Sequence, residues 1–285
     1  MLRLENSLRS GLSAMIAIVS MAAQFPNCWA EDVFPDKNLE AAVRREVFEK
    51  RNNTEPITAE DVKNISQVVG KGKGIKSLEG LQHCKAMMKL DLENNEIVDL
   101  TPIKELKLLQ SIDLSTNKIE SLEPISLLIN SQYLQLSKNA IADVTPLKDM
   151  SNLRSLYLAD NKIKSLEPLA GLKKIWTLNV AGNPIENPMP IAQMKGLDTI
   201  NLKGCGIKSL EFIRTLYPNF LMLNENAIAD FGPLADSCEA DAKGERRFAP
   251  YLRLYIDEAT LKSETHAGAI ERLRSAGVRI NPANK

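Results

Sequence analysis

From Leu90 onward the apolar positions keep a fixed interval. Leu90, Ile112, Leu134, Leu156, Leu178 and Ile200 stand 22 residues apart, and each is followed two positions later by another apolar residue (Leu92, Leu114, Leu136, Leu158, Val180, Leu202). Alternation of that kind describes a short strand with two side chains turned inward and their neighbours outward. Other columns run in phase with it. Asn95, Asn117, Asn139, Asn161 and Asn183 recur at the same interval, with Cys205 at the next. Ile97, Ile119, Ile141, Ile163, Ile185 and Ile207 follow two residues behind, and proline recurs at Pro102, Pro124, Pro146 and Pro168. Columns that stay in register over so long a stretch are an internal repeat.

The physics of one unit predicts the whole. A strand this short cannot bury an apolar face alone, so copies must stack into a parallel sheet with a continuous core. The asparagine amide donates and accepts at once, which suits it to backbone groups of the adjacent turns that would otherwise be buried unpaired. Cys205 takes that place in the sixth copy. Proline fixes a bend on the outer side, which predicts turns and short helical pieces there. The pattern N-x-I-x-x-L-x-P-L resembles the leucine-rich repeat of the bacterial internalin type and of the protein-phosphatase-regulator type, strongly over Lys73 to Leu234. The resemblance implies an α/β leucine-rich repeat solenoid: a curved parallel β-sheet on the concave face, turns and short helices on the convex face, a helical N-terminal cap and an α/β C-terminal cap. It implies nothing about a particular ligand.

Departures from the repeat mark its ends. Lys73, Ile75 and Leu78 form a half-unit with lysine where asparagine is expected; upstream, Pro35-Asp36 opens an amphipathic run (Leu39, Val43, Val47) and Ile57 to Asp61 opens a second short helix. The fifth unit is interrupted by Pro184, Pro188 and Pro190, which predicts an altered outer loop. Leu221, Leu223, Asn226 and Ile228 repeat the motif one residue short of phase. Ala235 to Pro250, charged and polar, reads as a loop or insertion. Leu252, Leu254 and Ile256 give one more strand, with Leu261 in place of the isoleucine; a helix over Ser263–Ala276 ends at Gly277, and Val278 to Ile280 adds an edge strand. The expected organisation is a leader over 1–30, a cap over 31–72, the array over 73–235 and a closing cap over 236–285.

The N-terminus changes the setting. Arg3 and Arg9 precede an apolar run from Gly11 to Ala23, then Pro26 and Ala30. This is the layout of a secretory signal cleaved after Ala30, and the run is too short for a membrane span, which takes about 20 residues. The mature chain is expected to be secreted or held in the periplasm or cell envelope, with no transmembrane span. It would keep Cys84, Cys205 and Cys238. An odd number cannot pair completely; buried thiols are the favoured reading, with a Cys205–Cys238 bridge left open. The 36 basic and 36 acidic residues balance, so no global field points to nucleic acid.

Chemistry is harder to place. His83 and His266 lie at opposite ends of the array, neither has a ligand partner at helical spacing, and Lys71-Gly72-Lys73-Gly74 lacks the spacing of a phosphate loop. Asp91 and Asp113 share a column on neighbouring rungs, about 5 Å apart. They are close enough to share a cation, but two carboxylates fall short of the oxygens a calcium ion takes, so the pair reads as a solvated acidic face. No catalytic residue, metal or cofactor is assigned, and the protein is expected not to be an enzyme. What remains is the outward grid of the strands. Its candidate binding residues are Lys89, Asp91, Asp113, Tyr133, Gln135, Tyr157, Trp176, Asn179 and Asn201. Amphipathic aromatics on a floor of small residues suit a protein segment or a glycan. The leading expectation is a recognition protein with a protein partner. The alternatives are a regulatory or structural subunit, as in phosphatase regulators, and a glycan-binding module.

Overall fold

The computed structural model describes residues 33–282, so the expected leader and Cys28 lie outside the described residues. Among the described residues ten strands form one sheet in strict chain order, all parallel: β1 (Gln67–Val69), β2 (Lys89–Asp91), β3 (Ser111–Asp113), β4 (Tyr133–Gln135), β5 (Ser155–Tyr157), β6 (Thr177–Asn179), β7 (Thr199–Asn201), β8 (Phe220–Met222), β9 (Arg253–Tyr255) and β10 (Arg279–Ile280). The inward columns pair as the repeat demands. Leu90 faces Ile112, then Leu134, Leu156, Leu178, Ile200, Leu221 and Leu254 in turn. These residues, with Leu92, Leu114, Leu136, Leu158, Val180 and the isoleucine column, make a single apolar core along the axis. The fold is the leucine-rich repeat solenoid.

The asparagines do the work their chemistry suggested. Asn139 Oδ1 accepts the Ile119 N–H, while its Nδ2 donates to the carbonyls of Leu114 and Leu136. Asn95, Asn117, Asn161 and Asn183 repeat the scheme, and Asn226 takes it up in the out-of-phase unit. Cys205 fills only half of the role. Its Sγ lies 3.1 Å from the Val180 carbonyl, replacing the donor. It supplies no strong acceptor, and the Ile185 N–H turns instead to the Asn183 carbonyl. Outside the sheet, 3-10 turns over Thr101–Ile103, Glu123–Ile125, Thr145–Leu147 and Glu167–Leu169 each carry the expected proline at the second position. There proline needs no N–H partner, and its φ already fits. After Pro184 the outer turn lengthens to Met189–Gln193.

Two caps close the core. At the N-terminal end lie α1 (Lys37–Arg44), capped by the Asp36 carboxylate, and α2 (Ala59–Val62), held by a capping box between Thr58 and Asp61. Phe34, Leu39, Val43, Ile57 and Val62 are buried beneath them. At the other end the expected loop over Ala235–Pro250 is corrected. Gly232–Lys243 is a 12-residue helix, α3. Its buried residues Leu234, Ala235, Cys238 and Asp241 lie on one helical face, a stripe obscured in the sequence by acidic neighbours and by one buried carboxylate. Then come β9, α4 (Glu258–Leu261), α5 (Glu264–Ser275) and the edge strand β10. Cys84, Cys205 and Cys238 are buried and free, so the bridge left open between Cys205 and Cys238 is not formed. Burial pushes the Cys84 and Cys238 thiols up to about 12 and Cys205 to about 11, and none is a nucleophile at neutral pH.

Candidate functional site

The outward side chains of the strands stand in columns fixed by the register. Tyr133 lies beside Ser155, and Gln135 beside Tyr157, so the two tyrosines meet on a diagonal. Their ring centroids are 5.5 Å apart with planes at 47°. Both rings are half-buried and rise from a floor of Ser111, Ser137, Ser155, Ala159 and Thr177. A tilted, half-buried aromatic pair among small residues offers a ligand apolar area with polar tips. Burial raises the Tyr133 pKa, and the Asp113, Tyr157 and Asp91 charges add to the shift. The phenol is therefore neutral and able to donate a hydrogen bond at any physiological pH.

Asp91 and Asp113 are adjacent, as expected from the column, and Lys71 and Glu93 join them. Lys71 Nζ lies 3.2 Å from Asp91 Oδ2 and 3.0 Å from Glu93 Oε2. The Glu93 and Asp91 carboxylates hold its pKa above the ordinary lysine value. Other members of the column are occupied in the fold itself. Asp113 Oδ1, Gln135 Oε1, Asn179 Oδ1 and Asn201 Oδ1 each accept the N–H two residues ahead, at Ser115, Ser137, Ala181 and Lys203. These side chains cap the ends of their own strands, a structural duty that the sequence reading did not include. Lys89 is exposed at the start of β2.

Trp176 stands apart. It is 58% exposed, one residue ahead of β6, in the row of Gln132 and Arg154 that precedes each strand, with its backbone bridging Arg154 and Thr199. Among the described residues no ring contact joins it to the tyrosines. The grid also extends further than the sequence reading took it. Thr199 is followed in the first column by Phe220, Arg253 and Arg279, and Asn201 in the second by Met222 and Tyr255. The Arg253 guanidinium lies 5.0 Å from the centre of the Phe220 ring. The one-residue slip before Leu221 and the long step to Leu254 hid these positions, although the alternation of Phe220-Leu-Met and Arg253-Leu-Tyr was there to read.

Comparison with known proteins agrees with this architecture. The family model for leucine-rich repeats (2 copies) matches residues 132–171. No curated protein matches the chain by sequence. Among solved structures, internalin C2 of Listeria monocytogenes is 31% identical with a TM-score of 0.66, the match covering 72% of this chain and 91% of that one. An internalin (inlF) of the same organism is 20% identical at TM-score 0.53, with 90% of this chain and 98% of that chain covered. The Arabidopsis receptor kinase HAESA, solved with the peptide hormone IDA and the co-receptor SERK1, is 20% identical at TM-score 0.52, over 67% of this chain and 35% of that chain. These last two likenesses show the fold alone. With the repeat, the asparagine ladder and the extent of the match to internalin C2 taken together, the chain belongs to the leucine-rich repeat family, in its internalin-like form.

Proposed function

We propose that this is an exported, non-enzymatic recognition protein that holds a segment of a protein partner against its concave sheet. The observation that carries the reading is the Tyr133–Tyr157 pair, half-buried on a floor of small residues. Aromatics of this kind contribute large contact area and a polar tip while losing little conformational freedom, and they dominate protein interfaces. Lys89, Asp91, Asp113, Gln135, Asn179 and Asn201 form the polar surround, and Trp176 an outlying contact at the strand starts. HAESA, similar to this chain in fold, was solved in complex with the peptide hormone IDA, and the reading takes a protein ligand over a glycan. Internalin-like proteins are binding modules, and no helix among the described residues is long and apolar enough to cross a membrane.

Crosslinking capture from envelope and medium fractions tests the reading, with the protein and a Tyr133→Ala/Tyr157→Ala/Trp176→Ala variant as baits. A protein captured by the first and lost by the second is expected, with both baits melting alike. Equal capture by both would move the interface off this face. Export has its own check: N-terminal sequencing of the native protein should begin at Glu31, and recovery of intact Met1 from a cytosolic fraction would refute it.

A further inference from the structure

The C-terminal rungs of the concave face carry charge of one sign that the fold itself does not answer. Arg253 on β9 and Arg279 on β10 are register partners in the first outward column, so their side chains start about 4.8 Å apart. Both are exposed. Like charges set directly beside one another on a sheet destabilise it. Among the described residues neither guanidinium has a carboxylate within ion-pair distance. Carboxylates at that end of the sheet are committed elsewhere. Glu225 pairs with Lys203 at 2.9 Å, Asp257 accepts the Glu225 N–H, and Asp198 accepts from Asn219 Nδ2 and Thr199 Oγ1. At the N-terminal rungs the opposite holds, since Lys71 bridges Asp91 and Glu93.

Apolar surface lies beside the pair. The Arg253 guanidinium is drawn over the Phe220 ring on β8, 5.0 Å from its centre, and so away from Arg279 on its other side. Phe220, Met222 and Tyr255 are half-buried on the same face. A guanidinium whose flat face rests on a ring keeps its edge N–H groups for a carboxylate, and it has less rotamer freedom left to lose on binding. We propose that Arg253 and Arg279, with Phe220 beside them, form the docking point for an acidic segment of a protein partner, one carboxylate to each guanidinium. Charge complementarity names the ligand, and the number of cations narrows it. Two arginines suit two carboxylates in fork geometry, whereas a nucleic acid or sulfated polysaccharide is gripped through a long row of cations. The 36 basic residues are balanced by 36 acidic ones, which leaves no wider field to hold a polyanion. The assignment rests on the concave face being the recognition surface. Tyr157 on β5 and Arg253 on β9 are four rungs apart, about 19 Å. The partner residues over the arginines therefore lie about six positions along an extended segment from those over the tyrosines.

NMR titration of the isotope-labelled protein with a tetrapeptide of three glutamates and one leucine tests it, since four residues reach only about 14 Å and cannot span to the tyrosines. Saturable shifts are expected at the arginine Nε–H groups and at the amides of β8, β9 and β10, with a Kd on the order of 1 mM or tighter. The same peptide with glutamines should bind about tenfold more weakly or not at all. Arg253→Ala and Arg279→Ala should each weaken the glutamate peptide about tenfold, the contribution of one charge-assisted pair. Arg253→Lys keeps the charge but loses the fork and the stack on Phe220, and should weaken it several-fold. Both arginines are exposed, so all of these variants should melt like the wild type. The Tyr133→Ala/Tyr157→Ala variant should bind the peptide unchanged, so that failure at the tyrosines and failure at the arginines are read separately. Absence of saturable shifts, shifts at another face, or full binding by an Arg253→Ala/Arg279→Ala variant would overturn the proposal. So would undiminished binding by Arg253→Lys, or loss of binding in the tyrosine variant. Tighter binding of a heparin tetrasaccharide, lost in the same arginine variants, would overturn it in favour of a glycan.

Discussion

The asparagine column shows how much one side chain contributes. Each amide serves backbone groups on two rungs, and a pure donor or a pure acceptor fills only half of its role. Asn139→Ala would leave the Ile119 N–H without its partner and would remove one of the two amide donors from each of the Leu114 and Leu136 carbonyls, which keep Asn117 and Asn161. The expected loss is about 3 kcal/mol, from one N–H left unpaired and two further hydrogen bonds lost, read from urea unfolding. Cys205→Ala should cost less, about 1–2 kcal/mol, the range for a small buried truncation. At that rung the Ile185 N–H already bonds to the Asn183 carbonyl, so the loss is confined to the thiol contacts with Val180 and Lys203 and some packing. Equal losses at the two positions would mean that the amide's accepting side contributes nothing.

The same accounting at the scale of an element explains α3. Its last turns carry Asp241, whose carboxylate accepts the N–H groups of Arg247, Phe248 and Ala249 and so folds the following loop back over the core. Burial alone would raise its pKa, but the three backbone N–H groups and the Arg247 charge outweigh burial and lower it. The sign follows. A carboxylate whose pKa is lower folded than unfolded contributes stability that is present above the unfolded value near 3.8 and disappears as pH falls through the folded value. Asp241→Asn should therefore lower the melting temperature at pH 7 and flatten its decline between pH 5 and pH 3, about the range in which aspartates titrate. Thermal melts across that range check it. An unchanged acid slope would mean that another carboxylate governs the decline. The exposed network that Arg272 makes with Asp236 and Glu239 contributes little by comparison. Asp241 also shows where the sequence stops being legible. Strands, ladder, outer turns and caps follow from period and residue chemistry, because each repeat restates the same solution. Asp241 acts through backbone groups six to eight residues on, outside the period of the repeat, so no column announces it. The candidate site divides the same way: the diagonal of Tyr133 and Tyr157 is implied by the columns, whereas the joining of Glu93 and Lys71 to Asp91 and the strand-capping by Gln135, Asn179 and Asn201 depend on side-chain direction.

Across the whole molecule each rung touches only its neighbours, so the core has two open ends and the caps decide whether it stays closed. The segment that leads into the N-terminal cap passes through a tight place. Gly80 sits at φ +102, and a Cβ there would lie 2.4 Å from the Phe34 ring and 2.5 Å from the Val33 carbonyl oxygen. Neither neighbour can yield cheaply: one is backbone, and Phe34 is fully buried in the core. Gly80→Ala thus combines a backbone conformation that a side chain disfavours with a clash that lifts the segment at residues 33–34 from the first outer turn. The expected loss is about 3 kcal/mol or more, the range for overpacking joined to a strained φ. Its consequence should be larger than its locality suggests. With residues 33–34 displaced, Phe34 leaves the core, and an apolar end facing water invites a second copy. Light scattering on the variant should show concentration-dependent association that the wild type lacks, with the melting temperature lowered. A variant that loses stability yet stays monomeric would show that α1 and α2 alone seal the end, and that the segment before Asp36 only adds to the packing.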